Sequence, residues 1–162
     1  MALFTLSDTH LSFGSDKPMD IFGARWRGHH EKIMSCWNRV VSDNDTVVVG
    51  GDISWAMTTE RAEEDLIFID RLRGNKIFIK GNHDYWWTTL KKVTDFFDSH
   101  GITTIKLLQD NSFSCCGKHI CGTRGWYSDA ATAPEDSDYM KIVAREAQRL
   151  ELSLKAAPDT GE

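Results

Sequence analysis

No apolar run in this chain approaches the roughly 20 residues that a membrane-spanning helix needs. The N-terminal stretch Met1 to Leu6 is also too short for a signal-peptide core before Asp8 interrupts it. A cytoplasmic location without a membrane partner is the expectation. Basic charge is not in excess: 19 Lys and Arg stand against 24 Asp and Glu, a net charge of −5. That argues against a general nucleic-acid binder, which carries a basic stripe, so a nucleic acid would enter only as a substrate. Cysteines are few, and Cys36, Cys115, Cys116 and Cys121 lack the spacing of a disulfide framework. Reduced thiols are expected. There is no internal repeat and no low-complexity linker. What remains is an ordinary globular composition over 162 residues, enough for a single domain spanning 1–162 with its own core.

Three continuous apolar runs stand out: Leu3-Phe4-Thr5-Leu6, Val47-Val48-Val49 and Ile77-Phe78-Ile79. Continuous rather than alternating apolarity suits strands buried on both faces. Between the first two runs, Trp26, Ile33, Trp37, Val40 and Val41 recur at helical spacing; between the second and third, Ala62, Leu66, Ile69 and Leu72 do so. The order β-α-β-α-β implies a parallel sheet with right-handed crossovers. A third helix carrying Trp87, Leu90, Val93 and Phe97 should stop near His100-Gly101. Ile102 to Leu108 reads as a further strand. Ser112 to Cys116 and Ile120 to Thr123 read as a hairpin turning at Gly117-Lys118. A last helix is expected to begin around Pro134, with apolar repeats at Met140, Val143, Ala147, Leu150 and Leu154.

Each of the three strands runs at its C-terminal end into groups of metal-ligand type: Ser7-Asp8-Thr9-His10, Gly50-Gly51-Asp52 and Gly81-Asn82-His83-Asp84. In a parallel α/β sheet, ligands bind beyond the carboxyl ends of the strands, so the clusters should converge there. Asp8 and His10 can reach one ion, Asp52 can bridge two, and Asn82 offers a neutral oxygen to the second. This mixed N/O set suits Mn²⁺, Fe²⁺ or Zn²⁺ better than a thiolate site would. Two divalent ions roughly 3.5–4 Å apart would hold a hydroxide and a phosphoryl oxygen for an in-line displacement. The implied chemistry is phosphoester hydrolysis.

These blocks resemble the D-x-H, G-D and G-N-H-[DE] motifs of the calcineurin-like metallophosphoesterase superfamily, and Thr123-Arg124-Gly125-Trp126 is similar to bacterial members. The resemblance implies an α/β/β/α sandwich, Asp8, His10, Asp52 and Asn82 as metal ligands, and His83 as a non-ligand that assists the leaving group. Asp84 either orients that imidazole or caps the third helix. Arg124 either reads substrate phosphate or forms a surface salt bridge. Family members also carry a histidine on a later strand and a G-H-x-H block, and no histidine follows His119 here. The expectation is the N-terminal two-thirds of the full fold, C-terminally incomplete, with a weakened second ion and a sheet edge open to self-association.

Blander readings exist for several residues. Asp8, Asp52 and Asn82 could cap helices. His29 and His30 are expected on a helix side facing solvent or other side chains, and His100 at a helix end. Cys116, His119 and Cys121 lack the paired spacing of a zinc site. Trp55, Trp86 and Trp126 follow strand ends and could wall the crevice or simply pack. The leading reading is a metal-dependent hydrolase of phosphomonoesters or phosphodiesters; the alternative is a non-catalytic relative acting as a binding or scaffold protein.

Overall fold

The computed structural model describes residues 1–127, 131 and 138–158. Within these the chain forms two compact units, Met1–Leu107 and Leu108–Glu162. The first is built on a four-stranded sheet in the order β1-β2-β3-β4, with β1 at Leu3–Leu6, β2 at Thr46–Val49, β3 at Asn75–Ile79 and β4 at Ile105–Leu108. β1 pairs with β2 in parallel register, Phe4 opposite Val47 and Leu6 opposite Val49, and β2 pairs in parallel with β3. Helices α1 (His29–Val40), α2 (Glu63–Asp70) and α3 (Leu90–Ser99) connect the strands. The mixed α/β architecture expected from the alternation of elements is therefore present.

The core follows the periodicities. Ala62, Leu66, Ile69 and Leu72 are all buried, as are Trp37, Val41, Val93 and Phe97. They pack on Val47, Val49 and Phe78 from the sheet. β1 departs from the two-faced burial expected of it: Leu3 is 41% exposed and Thr5 is open to solvent. It is an edge strand, with a neighbour on one side only among the described residues. Trp26 lies not in α1 but in a 3-10 turn before it, because Gly28 takes a left-handed conformation (φ 61°) that interrupts the helix. Helix α3 likewise starts later than expected. Thr89 caps it, its hydroxyl accepting from the Lys92 amide, so Asp84 is no cap and Tyr85 to Trp87 precede the helix. Its end is as expected, with His100 at the C-cap and Gly101 at φ 68°.

Two buried charges anchor α2. Lys76 on β3 is fully buried, and its ammonium donates to the carbonyls of Asp70, Leu72 and Gly74 and to the Thr104 hydroxyl. A cation thus satisfies carbonyls at and just beyond the C-terminal end of the helix. Asp65, also fully buried, accepts from the Phe13 amide at 2.8 Å and from the Ser54 hydroxyl.

In the second unit, β5 (Ser112–Cys115) and β6 (Lys118–Cys121) form an antiparallel hairpin. Its turn is Cys116-Gly117, one residue earlier than expected. Both residues have positive φ (53° and 70°), as a two-residue hairpin loop of the mirror-image type requires. Helix α4 spans Tyr139–Lys155, and the expected start at Pro134 lies outside the described residues. Its apolar stripe is not buried: Met140, Leu150 and Leu154 are exposed. The inward face is polar instead. Glu146 accepts from the Thr123 hydroxyl at 2.6 Å, while Ser153 accepts from the Gly122 amide at 2.9 Å and donates to the Asn111 carbonyl. All four cysteines are free.

Burial raises the Asp65 carboxyl from 3.8 to about 6, against the hydrogen bonds from Ser54 and Phe13. The folded protein therefore retains a proton there that the unfolded chain has lost, and the stability this group contributes falls as pH rises from about 4 to 6, by about 3 kcal/mol. Across this range the slope of stability against pH, measured by urea unfolding, should be more positive in Asp65→Asn than in the parent. Equal slopes in the two proteins would contradict the assignment.

Candidate metal centre

Beyond β1 and β2 the two chain segments stay zipped together. The Asp8 amide donates to the Gly51 carbonyl at 3.0 Å, His10 to Asp52 at 2.9 Å and Leu11 to Ile53 at 2.9 Å; Trp55 returns a bond to Leu11 at 2.9 Å. Within this ladder Asp8, His10 and Asp52 all adopt positive φ (57°, 43° and 51°). Left-handed backbone at a non-glycine residue costs of order 1–3 kcal/mol and persists only where its surroundings over-determine it. Here it turns three side chains toward one point.

Glycine is required where the second and third segments meet. A Cβ on Gly81 would stand 2.1 Å from Asp52 Oδ1 and 2.2 Å from its amide nitrogen, and one on Gly51 would stand 2.7 Å from Gly81 Cα. Apart from Asp52 Oδ1 the close atoms are backbone, which cannot yield as the end of a flexible side chain could. It brings the His83 amide to Asp52 Oδ1 at 3.0 Å. Asp84 completes the junction: fully buried, it accepts from Ile53 N (2.8 Å), Gly81 N (2.7 Å), Trp86 Nε1 (2.9 Å) and Ser54 N (3.3 Å). Burial pushes its carboxyl up, and these donors oppose the shift. Its bonds go to backbone amides and an indole, so its observed work is to hold two loops together.

Asp8, His10 and Asp52 present ligand atoms all within 4.8 Å of one another. His10 Nε2 lies 3.6 Å from Asp8 Oδ1 and 3.9 Å from Asp52 Oδ2. Ligand atoms about 2.1 Å from a shared tetrahedral cation stand about 3.4 Å apart, so the two pairs made by His10 already lie close to the spacing one ion requires. Two carboxylates and an imidazole suit a first-row divalent cation. Burial lowers the His10 pKa despite the Asp52 and Asp8 carboxylates, favouring the neutral imidazole that binds metal.

Among the other expected site residues, Asn82 is exposed at the β3 end of the crevice. The half-buried His83 ring lies 6.2 Å from that of His10. Arg124 belongs to the second unit, its guanidinium 4.6 Å from the Trp126 ring and its pKa lowered by burial against the pull of Glu146. Trp86 is fully buried beside Trp87 and is a core residue, not a wall. Trp55 does reach the site, stacked on His10 and near His83.

Sequence reasoning missed two neighbours. Lys17 sits 4.8 Å over the Trp55 ring, with no signal in its surrounding sequence to announce it. His29, expected to face solvent or other side chains, is half-buried and packs edge-on against the rings of Trp26 and His30, with its Nε2 buried. With Leu11, Phe13, Met19, Trp26 and His30 it lines a cavity of about 230 Å³. The adjacent pair His29-His30 was the only hint.

The sequence model of the calcineurin-like phosphoesterases matches residues 1–145. No curated protein matches the chain. Among solved structures, AQ665 from Aquifex aeolicus, a protein of unknown function, is similar at 21% identity with a TM-score of 0.51, over 90% of this chain and 72% of that one. That likeness is one of fold.

Strain at the cluster carries a stability cost that can be measured. Asp8→Gly should relieve the left-handed backbone and raise stability by about 0.5–1 kcal/mol after glycine's own entropic cost, while weakening Mn²⁺ binding. Chemical unfolding read beside calorimetric metal titration checks both; a destabilised Asp8→Gly protein would refute the strain argument.

Proposed function

The chain belongs to the calcineurin-like phosphoesterase family, and from that premise we propose that it is a metal-dependent hydrolase of phosphomonoesters or phosphodiesters. The observation that carries this reading is the convergence of Asp8, His10 and Asp52, each in left-handed backbone, with ligand atoms within 4.8 Å. Strain concentrated on one ligand set is characteristic of a functional site rather than of helix capping.

In this proposal Asp8, His10 and Asp52 hold one divalent cation, and Asp52 with Asn82 holds a second. The ions are drawn from Mn²⁺, Fe²⁺ and Zn²⁺. Bound divalent cations supply positive charge to phosphoryl oxygens and acidify water. The protein's own contribution is placement. Asp52 Oδ1 is held by the His83 amide, so the carboxylate cannot rotate away from the crevice without losing that bond. His83 is the residue we assign to the leaving oxygen, its ring nitrogen donating a proton as the ester bond opens. Its ring is beside the ligand set but is no member of it. Asp84 supports the turn that carries His83. Arg124 is proposed as a phosphate-binding cation on the strength of guanidinium chemistry alone.

The test is hydrolysis of p-nitrophenyl phosphate and bis(p-nitrophenyl) phosphate by metal-stripped protein before and after addition of Mn²⁺. Metal-dependent turnover is expected. His83→Ala should lower kcat at least 100-fold while leaving Mn²⁺ affinity within about threefold. Unchanged kcat would remove His83 from its role, and hydrolysis of neither ester would favour a non-catalytic binding protein.

A further inference from the structure

We propose that Trp55 is the positioning residue that fixes the His10 imidazole in its metal-binding orientation, an inference that rests on the metallohydrolase reading above. A histidine that binds metal through one ring nitrogen ordinarily donates the other N–H to a carboxylate, carbonyl or water, and that bond sets the ring plane. His10 directs Nε2 toward Asp8 and Asp52, yet its Nδ1 is buried and has no hydrogen-bond partner among the described residues. Its terminal torsion is intrinsically broad, so packing must choose the plane. The indole of Trp55 makes that choice, lying 4.6 Å from the imidazole at an interplanar angle of 15°.

Trp55 is itself held at several points. Its backbone amide donates to the Leu11 carbonyl at 2.9 Å, and its Nε1 donates to Met19 Sδ at 3.2 Å. Lys17 places its ammonium 4.8 Å from the ring centroid, and the His83 ring leans on the indole at 5.1 Å. A flat side chain fixed from its backbone to its far edge can transmit its orientation to the ring stacked on it. Trp55 therefore performs the task that a second hydrogen bond performs elsewhere.

Calorimetric titration of Mn²⁺ into metal-stripped wild-type protein, Trp55→Phe and Trp55→Leu tests this. The leucine variant, apolar but unable to stack, should bind Mn²⁺ about 10- to 100-fold more weakly. The phenylalanine variant should stay within about threefold of wild type, a rescue that simple loss of packing volume would not give. Wild-type affinity in Trp55→Leu would overturn the inference and leave the hydrolase reading intact. A wild-type chain that takes up no Mn²⁺ would overturn both. Should Trp55→Leu fail to fold, proton NMR of the metal-free wild type decides. His10 ring resonances moved upfield by the indole ring current are expected, and unshifted resonances would refute the stack.

Discussion

A single buried carboxylate, Asp84, joins the loops on which the candidate site depends. Its oxygens accept from backbone amides in the segment after β2 (Ile53 and Ser54), from the amide that opens the turn after β3 (Gly81), and from the Trp86 indole. Removing such an acceptor would leave several buried donors unpaired, each at a cost of about 1–3 kcal/mol. The bonds have a geometric consequence that matters more than their sum. They hold the two loops close enough for Gly81 to lie against Asp52, and that approach carries the His83 amide to the Asp52 carboxylate.

The same junction explains how three strained residues persist. The ladder from Asp8 N to Leu11 N continues the β1-β2 pairing past the end of the strands, so each left-handed residue has a backbone neighbour fixing it on either side. The supporting core is equally local. Val49, Phe78 and Trp86 are fully buried, and Ile53, directly after Asp52, is too. Every residue assigned to the metal cluster lies in the Met1–Leu107 unit, as does the apolar cluster behind it. The energetic cost of the site is offset within the unit that bears it.

Much of this was legible in the residues. Strands β1 to β3, the buried faces of α2 and α3, and the convergence of three strand ends follow from periodicity and from the rule that ligands bind beyond the carboxyl ends of parallel strands. The features misread or left open depend on tertiary context. Leu3 in β1 looks as buried as Val47 in β2, because an apolar run does not reveal which strand will be the edge. Trp86 follows a strand end as Trp55 does, yet only Trp55 reaches the crevice; the Trp86 indole is drawn inward by Asp84. Lys76 carries no reading of its own in the sequence, and its burial depends on the carbonyls at and beyond the end of α2 that accept from its ammonium.

Helix α4 shows the limit of periodicity most clearly. Met140, Leu150 and Leu154 recur at helical spacing, but the side that faces β6 and the segment after it is marked by Glu146 and Ser153. A hydrophobic stripe identifies the face of a helix able to bury area, not the face that a given unit covers. Glu146 can be buried because Thr123, Arg145 and Arg149 reach its oxygens, and Ser153 because it both accepts from Gly122 and donates to Asn111. Asp84 and Lys76 obey the same condition in the first unit. In both units these buried polar groups select one arrangement from the several that apolar periodicity allows, because it is the one in which Asp84, Lys76, Glu146 and Ser153 find their partners. Around Asp52 that selected arrangement is also the one that brings together the candidate metal-binding side chains Asp8, His10 and Asp52.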